Sequence, residues 1–161
     1  MKKQLDTINS LLVSCFNEVL KVEEASLQAS TKQNVTITEM HILDCINKAG
    51  SPTISDLAAA SLVTVSTMTI AINRMQTKAL VDRVRIDPDR RIVRVKLTES
   101  GLKIANAHQK FHRSLSEHIV STLSCEEQDV LVQALTNLNT YFQAEKARCP
   151  RKNGSPVREN T

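Results

Sequence analysis

The side chains best suited to chemistry in this 161-residue chain are its four histidines and four cysteines. His108 and His112 stand one turn apart in a predicted helix, so both imidazoles could reach one zinc ion. The same rings could instead form hydrogen bonds that brace a helix interface. The cysteines are scattered without a C-x-x-C pair, which favours reduced thiols that act as small apolar side chains.

Enzyme motifs are missing from the sequence. It contains no G-x-S-x-G elbow, no Walker loop, no H-E-x-x-H pair and no dinucleotide fingerprint. We therefore expect a protein that is not an enzyme and that needs no cofactor. The formal charge of +4 is compatible with nucleic-acid binding, but it is small for a protein that binds DNA by charge alone.

The stretch 61–98 has the clearest functional pattern. Steps of three and four residues predict one buried helix face, formed by Val65, Met68, Ile72, Met75 and Ala79. The opposite face has short hydrogen-bonding groups, one methyl-rich side chain and one cation, which suits reading base edges in a major groove. Its members are Ser66, Thr67, Ile70, Asn73, Arg74 and Thr77. Thr64 can cap the start of this helix.

A charged β-hairpin is predicted directly after that helix. Apolar residues alternate with Arg and Lys in 83–86 and again in 93–97, as in strands that bury one face. Residues 87–91 read DPDRR, and Asp and Pro are common in turns. A hairpin that projects Arg90 and Arg91 from its tip is a wing, whereas the alternative is an edge hairpin whose charges only prevent strand pairing.

Helical patterns fill most of the remaining chain. A stripe at 4-3-4-3 spacing predicts a packed or dimerising first helix, with Ile8, Leu12, Cys15, Val19 and Val22 on one side. Capping-box spacings at Thr36 and Thr53 predict the starts of two short helices, which precede the helix and hairpin described above. Thr98 and Ser124 mark the starts of two long helices that follow the hairpin. The predicted fold is therefore mainly α with a small β-wing, a winged helix-turn-helix flanked by long N- and C-terminal dimerisation helices.

This organisation gives four predicted segments. They are an N-terminal dimerisation helix at 1–33, a winged DNA-binding domain at 34–98, C-terminal dimerisation helices at 99–146 and a disordered tail at 147–161. No apolar run approaches the roughly 20 residues that span a bilayer, and the N-terminus lacks an apolar signal core. We therefore expect a cytoplasmic protein without a membrane partner.

The order of these elements resembles the MarR family of bacterial transcription regulators. The strongest marker is DPDRRIVRVKLTESG, which resembles the wing signature of that family. The resemblance implies a homodimer that binds a double-stranded DNA palindrome, with Asp89 holding Arg91 in the minor groove and Arg90 near phosphate. The predicted DNA contacts are Ser66, Thr67, Thr69, Ile70, Asn73, Arg74, Asp89, Arg90 and Arg91.

Several segments are similar to one branch of that family, the Gram-positive repressors of fatty-acid synthesis genes. These segments are FNEVLKVEEASL, TEMHILDCI, LVTVSTMTIAIN, RVRIDPDRR and HQKFHRSL. This resemblance implies a repressor that binds its operator more tightly with long-chain acyl-acyl carrier protein as corepressor. The acyl chain would occupy an apolar cavity for which the candidate lining residues are Val19, Met40, Leu43, Leu62 and Phe111.

Two other sensing chemistries stay open at this point. The set Glu24, His41, His108 and His112 resembles the zinc site of MarR-type regulators of zinc uptake, with zinc as the ligand. Cys15 lies in the first helix, where peroxide-sensing members carry a reactive thiol, but its place on the apolar stripe favours a core position.

Overall fold

The computed structural model describes residues 2–30, 34–85 and 93–148, and it confirms a mainly helical fold with a small two-stranded sheet. Its helices are α1 (Lys2–Ser30), α2 (Ile37–Ala49), α3 (Ile54–Ala60), α4 (Val65–Thr77), α5 (Glu99–Ser121) and α6 (Cys125–Arg148). The strands are β1 (Val81–Arg85) and β2 (Val93–Leu97). The chain divides into two compact units, Met1–Arg113 and Ser114–Thr161.

The predicted helix caps are confirmed. Thr36 accepts a hydrogen bond from the Glu39 N–H at 3.2 Å, and the Glu39 carboxylate accepts one from the Thr36 N–H at 2.9 Å. Thr53 and Asp56 form the same reciprocal pair at the start of α3. Each box satisfies backbone donors that a helix start otherwise leaves without partners, so the starts of α2 and α3 are set by local chemistry.

The hairpin is antiparallel, with Val81 opposite Leu97 and Arg85 opposite Val93. Val81 and Val95 are fully buried, so one face of the hairpin joins the core. The Val95 N–H also donates to the Pro52 carbonyl at 2.9 Å, which gives β2 a second backbone partner. The tip of the hairpin, residues 86–92, lies outside the described residues.

The core of the first unit lies between α2, α3, α4, the hairpin and the start of α5. Its members, each at most 6% exposed, are Leu27, Met40, Ile42, Leu43, Ile46, Leu57, Ala58, Met68, Ile72, Met75, Leu80, Val81, Val95, Ile104 and Ala105. Their burial supplies the apolar free energy that holds these elements together.

The L-T-x-x-G segment that leads into the first turn of α5 has a steric explanation. The Thr98 hydroxyl donates to the Ala79 carbonyl at 2.7 Å and accepts from the Gly101 N–H at 3.1 Å, so it joins the end of α4 to the start of α5. A Cβ added at Gly101 would lie 2.0 Å from the Leu80 carbonyl oxygen. Only glycine permits this approach of two backbones.

The apolar stripe of α1 is exposed in the single chain. Ile8 is 50% exposed, Leu12 37% and Val22 48%, and the Cys15 thiol is exposed too, so the expected core position of Cys15 is wrong for the isolated chain. The stripe therefore belongs to a surface that the described core does not cover.

The buried face of α5 contains Ile104, Ala105 and His108, each at most 7% exposed, whereas Leu102 is 41% exposed. The close contact at Gly101 turns the same side of the first turn toward Leu80.

Within the described ranges, none of the helices alone combines the length and apolarity needed to cross a membrane, although the bent pair of α3 and α4 meets that test by length and composition. The predicted segment boundaries stay a prediction, and residues 149–161 of the expected tail lie outside the described ranges.

Candidate DNA-binding surface and histidine cluster

Helix α4 is held by its inner face. Thr64 accepts a hydrogen bond from the Thr67 N–H at 3.1 Å and so caps the helix, as predicted. Met68, Ile72 and Met75 are 1%, 0% and 0% exposed. Three buried positions at steps of four and three fix the rotation of α4, and they leave its other side in solvent.

The outer face of α4 presents most of the predicted DNA contacts. The exposed members are Ser66, Thr67, Ile70, Asn73 and Arg74. Thr69 is half-buried, and its hydroxyl donates to the Val65 carbonyl at 2.7 Å, so it is engaged within the helix. Two residues expected on the buried face are exposed instead. Val65 stands in the first turn of α4, and Ala79 follows the helix in a turn with φ of +53°.

A half-buried ion pair anchors the end of α4, and the sequence patterns did not predict it. The Lys78 ammonium donates to the Glu39 carboxylate at 2.7 Å and to the Asn34 carbonyl at 2.5 Å. Burial acts to raise the pKa of Glu39, but the hydrogen bonds from Lys78 and from the Thr36 N–H outweigh it and lower that pKa. The start of α2 and the end of α4 are thereby joined by a charge pair that exists near neutral pH.

The wing residues of the prediction, Asp89, Arg90 and Arg91, lie outside the described residues. The strands on either side are described up to the Arg85 and Val93 pair. Arg83, which the prediction did not include, donates from Nη2 to the Asn73 side-chain oxygen at 2.5 Å. Its place in an Arg-x-Arg strand after the helix was the available signal.

Comparison with known proteins decides the family. The MarR family profile matches residues 35–93. FabT of Streptococcus pneumoniae, crystallised in complex with DNA, is 38% identical with a TM-score of 0.83, over 88% of this chain and 99% of FabT. The chain belongs to the MarR family.

Sequence relatives agree with this membership. The repressor MdtR of Bacillus subtilis is 31% identical over 81 residues, which is 50% of this chain and 52% of MdtR. The regulator PecS of Dickeya dadantii is 26% identical over 145 residues, 88% of this chain and 87% of PecS. As a MarR member the chain is a DNA-binding transcriptional regulator and not an enzyme.

The five residues predicted to line a ligand cavity fall in different environments. Met40 and Leu43 are 2% and 0% exposed and belong to the core. Val19 and Phe111 are half-buried, whereas Leu62 is 49% exposed in a turn with φ of +54°. Their role in ligand binding stays a prediction.

A cavity of about 370 Å³ lies between α2, the α3–α4 turn and α4. Its walls are mainly apolar, with Ile42 and Cys45 from α2 and Met68 and Ala71 from α4. None of the five predicted lining residues belongs to the walls of this cavity. The signal that could have found it is the spacing of four and then three residues between Thr38, Ile42 and Cys45 along one side of α2.

The histidine cluster forms around Glu23 and not around Glu24, so the predicted carboxylate was wrong. Glu23 is 4% exposed, and its two oxygens lie 2.8 Å from His112 Nε2, 3.4 Å from His108 Nε2 and 3.6 Å from His41 Nε2. Glu24 is exposed and lines a different cavity, beside Leu27 and Val35. Adjacent residues on a helix differ by about 100°, so one of the two carboxylates turns away.

Three members of this cluster lie close enough to share a metal ion. One ligand atom each from Glu23, His41 and His108 lies within 4.8 Å of the others. His112 Nε2 is 2.8 Å from His108 Nε2, which is the distance of a hydrogen bond between the two rings. Burial and the neighbouring His112 lower the pKa of His108, against a smaller opposing effect of Glu23. A neutral imidazole is the form that binds zinc.

Proposed function

We propose that this protein is a homodimeric repressor that inserts α4, as its recognition helix, into the major groove of a palindromic operator. The observation that carries the proposal is the exposed polar face of α4 over a fully buried inner face, in a fold similar to that of DNA-bound FabT. Ser66, Thr67 and Asn73 offer hydrogen bonds to base edges, and Arg74 offers a cation. Thr69 takes a lesser part, because its hydroxyl is engaged by Val65.

Dimerisation explains the exposed stripe of α1. Ile8, Leu12 and Val22 expose apolar surface that a second copy would cover. In the second unit α6 likewise exposes Val130 and Leu135, at 66% and 55%. A two-fold dimer would carry two recognition helices, and their half-sites would lie about 34–36 Å apart, one turn of DNA.

The wing supplies the second DNA contact in this proposal. Arg91 reaches the minor groove, Asp89 orients its guanidinium and Arg90 contacts phosphate. The support is the sequence of the hairpin tip and the paired strands that lead to it. Arg91→Ala should weaken operator binding by roughly 1–3 kcal/mol and leave the dimer intact.

The regulated process proposed here is fatty-acid synthesis. The structural similarity to FabT, the fatty-acid repressor, supports it together with the five similar segments. A long-chain acyl-acyl carrier protein would act as corepressor. Its acyl chain would enter the cavity beside Cys45 and Met68 more readily than the filled positions of Met40 and Leu43.

This placement connects the ligand to DNA binding. The cavity has α2 on one side and the recognition helix on the other, through Thr67, Met68 and Ala71. A chain lodged there strengthens repression only to the extent that it binds the DNA-ready position of α4 better than other positions.

Fluorescence anisotropy tests the proposal. The probe is a palindromic duplex from upstream of a fatty-acid synthesis cluster, titrated in chelator with and without palmitoyl-acyl carrier protein. Tighter binding with the acylated carrier, and not with the unacylated carrier, is expected. Equal affinity in all three conditions would contradict lipid control, and a lack of preference over random DNA would contradict operator recognition.

Zinc sensing is the second candidate, favoured by the convergence of Glu23, His41, His108 and His112. These residues come from α1, α2 and α5, so a bound ion would tie the dimerisation helix to the winged domain. Glu23→Gln and Glu24→Gln form a matched pair, because the two carboxylates are neighbours and only Glu23 faces the histidines. If zinc is the ligand, calorimetric titration with zinc should lose affinity in the first variant and keep it in the second.

A further inference from the structure

Arg83 of β1 holds a side chain of the recognition helix. Its Nη2 donates to Asn73 Oδ1 at 2.5 Å, from a half-buried position on the strand that follows α4. Its Nε is buried and has no hydrogen-bond partner within residues 2–30, 34–85 and 93–148. The contact with Asn73 is therefore the polar interaction that the described structure gives this guanidinium.

The turn between α4 and β1 fixes the relation of the two residues. The Leu80 N–H donates to the Met75 carbonyl and the Ala79 N–H to the Gln76 carbonyl, both at 2.9 Å. Thr98 ties the same turn to the start of α5 through the Ala79 carbonyl. Because the backbone path is held at both ends, Arg83 meets Asn73 without a flexible segment between them.

The chemistry of the pair determines how the Asn73 amide is turned. A guanidinium has hydrogen-bond donors only, so the end of the amide that faces Arg83 must be its oxygen. The amide nitrogen, with two N–H donors, is then the end left for another partner. Asn73 is exposed on the outer face of α4, among Ser66, Thr67 and Ile70.

We propose that Arg83 is a specificity-determining residue, which turns the Asn73 amide so that it presents N–H donors to a guanine in the operator. Guanine offers two adjacent acceptors in the major groove, N7 and O6, which suits a donor-only group. Adenine offers an acceptor beside a donor, and the paired bonds that an asparagine makes with it require the amide oxygen. This inference rests on the proposed entry of α4 into the major groove.

A phosphate contact by Arg83 would be the simpler role. It would strengthen binding to every sequence alike and carry no base preference. Arg85, exposed two residues further along β1, offers a control with the same loss of charge. Base preference therefore separates the two roles, and overall affinity does not.

The test starts from duplexes that the wild-type protein selects from a random-sequence pool. Each half-site position of the selected duplex is then changed to all four base pairs, and affinity is measured by anisotropy for the wild type, Arg83→Ala, Arg83→Lys, Arg85→Ala and Asn73→Ala. The wild type should prefer guanine over adenine by roughly tenfold at one symmetric position. Arg83→Ala should abolish most of the preference for guanine over adenine at that position. Arg85→Ala should weaken binding to every duplex and keep the preference.

Asn73→Ala identifies the base position that Asn73 reads, because this variant should lose the same guanine preference. The double variant Asn73→Ala with Arg83→Ala should lose no more of that preference than Asn73→Ala alone. Arg83→Lys keeps the charge and a donor-only group, so it should retain part of the guanine preference, and it guards against a folding defect in the alanine variant. A guanine preference that survives in Arg83→Ala, or that is independent of Asn73, would overturn the inference. Failure of the wild type to select any sequence would overturn the proposed function itself.

Discussion

Helices α1 and α4 use apolar residues in opposite ways. In α4 the apolar residues Met68, Ile72 and Met75 are at most 1% exposed, so the chain covers them itself. In α1 the apolar residues Leu5, Leu11 and Phe16 are 67%, 59% and 53% exposed. The apolar side of α4 is thus covered within one chain, whereas α1 leaves apolar side chains that another surface could cover.

The difference follows from the neighbours of each helix. Strands, capped short helices and the start of α5 surround α4, and the glycine at 101 lets α5 approach closely. Most of α1 has no such cover, although its end contributes Leu27 to the core and Glu23 to the histidine cluster. A winged domain that is complete in itself and is attached to an incomplete helix suits the proposed dimer, which would place two such domains on DNA.

The largest expected effect concerns the incomplete helix. Ile8→Asp should dissociate the proposed dimer, because full burial of an isoleucine side chain is worth roughly 1.5–3 kcal/mol, Ile8 is 50% exposed in the single chain, and a two-fold interface would contain it twice. Sedimentation over a concentration series would measure the dimer constant. Ser10→Asp, about 200° further round the helix, is the matched control and should leave the dimer unchanged. A dimer that survives Ile8→Asp would place the interface elsewhere.

The complete helix gives the next effect. Ile72 is 0% exposed and Ile70 is 54% exposed in the same helix. Ile72→Ala should lower the free energy of unfolding by about 2–5 kcal/mol, whereas Ile70→Ala should change it by less than about 0.5 kcal/mol. Urea unfolding measures both, and operator binding should be weakened by Ile70→Ala alone at equal folded fraction. Similar stabilities of the two variants would contradict the rotation assigned to α4.

Gly101→Ala should lower the free energy of unfolding by roughly 1–3 kcal/mol, which is less than the effect of Ile72→Ala. The added Cβ would lie 2.0 Å from the Leu80 carbonyl oxygen, so α5 would have to move away from the turn that follows α4. Ser100→Ala, at the exposed neighbouring position, is the control for helix propensity. A fully stable Gly101→Ala protein in thermal unfolding would show that the two backbones are further apart.

Local chemistry was predictable from the sequence, and rotation of long helices was not. The caps at Thr36, Thr53 and Thr64 depend on residues three apart, and the hairpin depends on strict alternation. Both features can therefore be predicted from short segments of the sequence. The choice between Glu23 and Glu24 depends on the rotation of a 29-residue helix with apolar residues around much of its circumference. The spacing of four between Val19, Glu23 and Leu27 was the signal that favoured Glu23.

The contacts that anchor α4 could not be predicted from sequence patterns for another reason. Lys78 and Glu39 are separated by 39 positions, and either residue alone resembles an ordinary surface charge. Their pairing exists because the core places the end of α4 beside the start of α2. The same applies to Arg83 and Asn73, which the turn at Ala79 brings together.

The smallest predicted effect concerns this anchor and depends on pH. The folded pKa of Glu39 lies below the ordinary glutamate value of about 4.3, so its charged form stabilises the fold above that pH, and the contribution is lost as pH falls through the folded pKa. Glu39→Gln should lower the free energy of unfolding at pH 7 by roughly 1 kcal/mol, and the difference from wild type should shrink below pH 4.3. Glu99 pairs with Lys103 at the same 2.7 Å, but both side chains are largely exposed, so Glu99→Gln should change little. If the difference in the free energy of unfolding between wild type and Glu39→Gln stayed constant from pH 7 to pH 3, the charge of Glu39 would not be what stabilises the contact between α2 and α4. The hydrogen bond from Lys78 to the Asn34 carbonyl would then be the contact that joins the end of α4 to the start of α2.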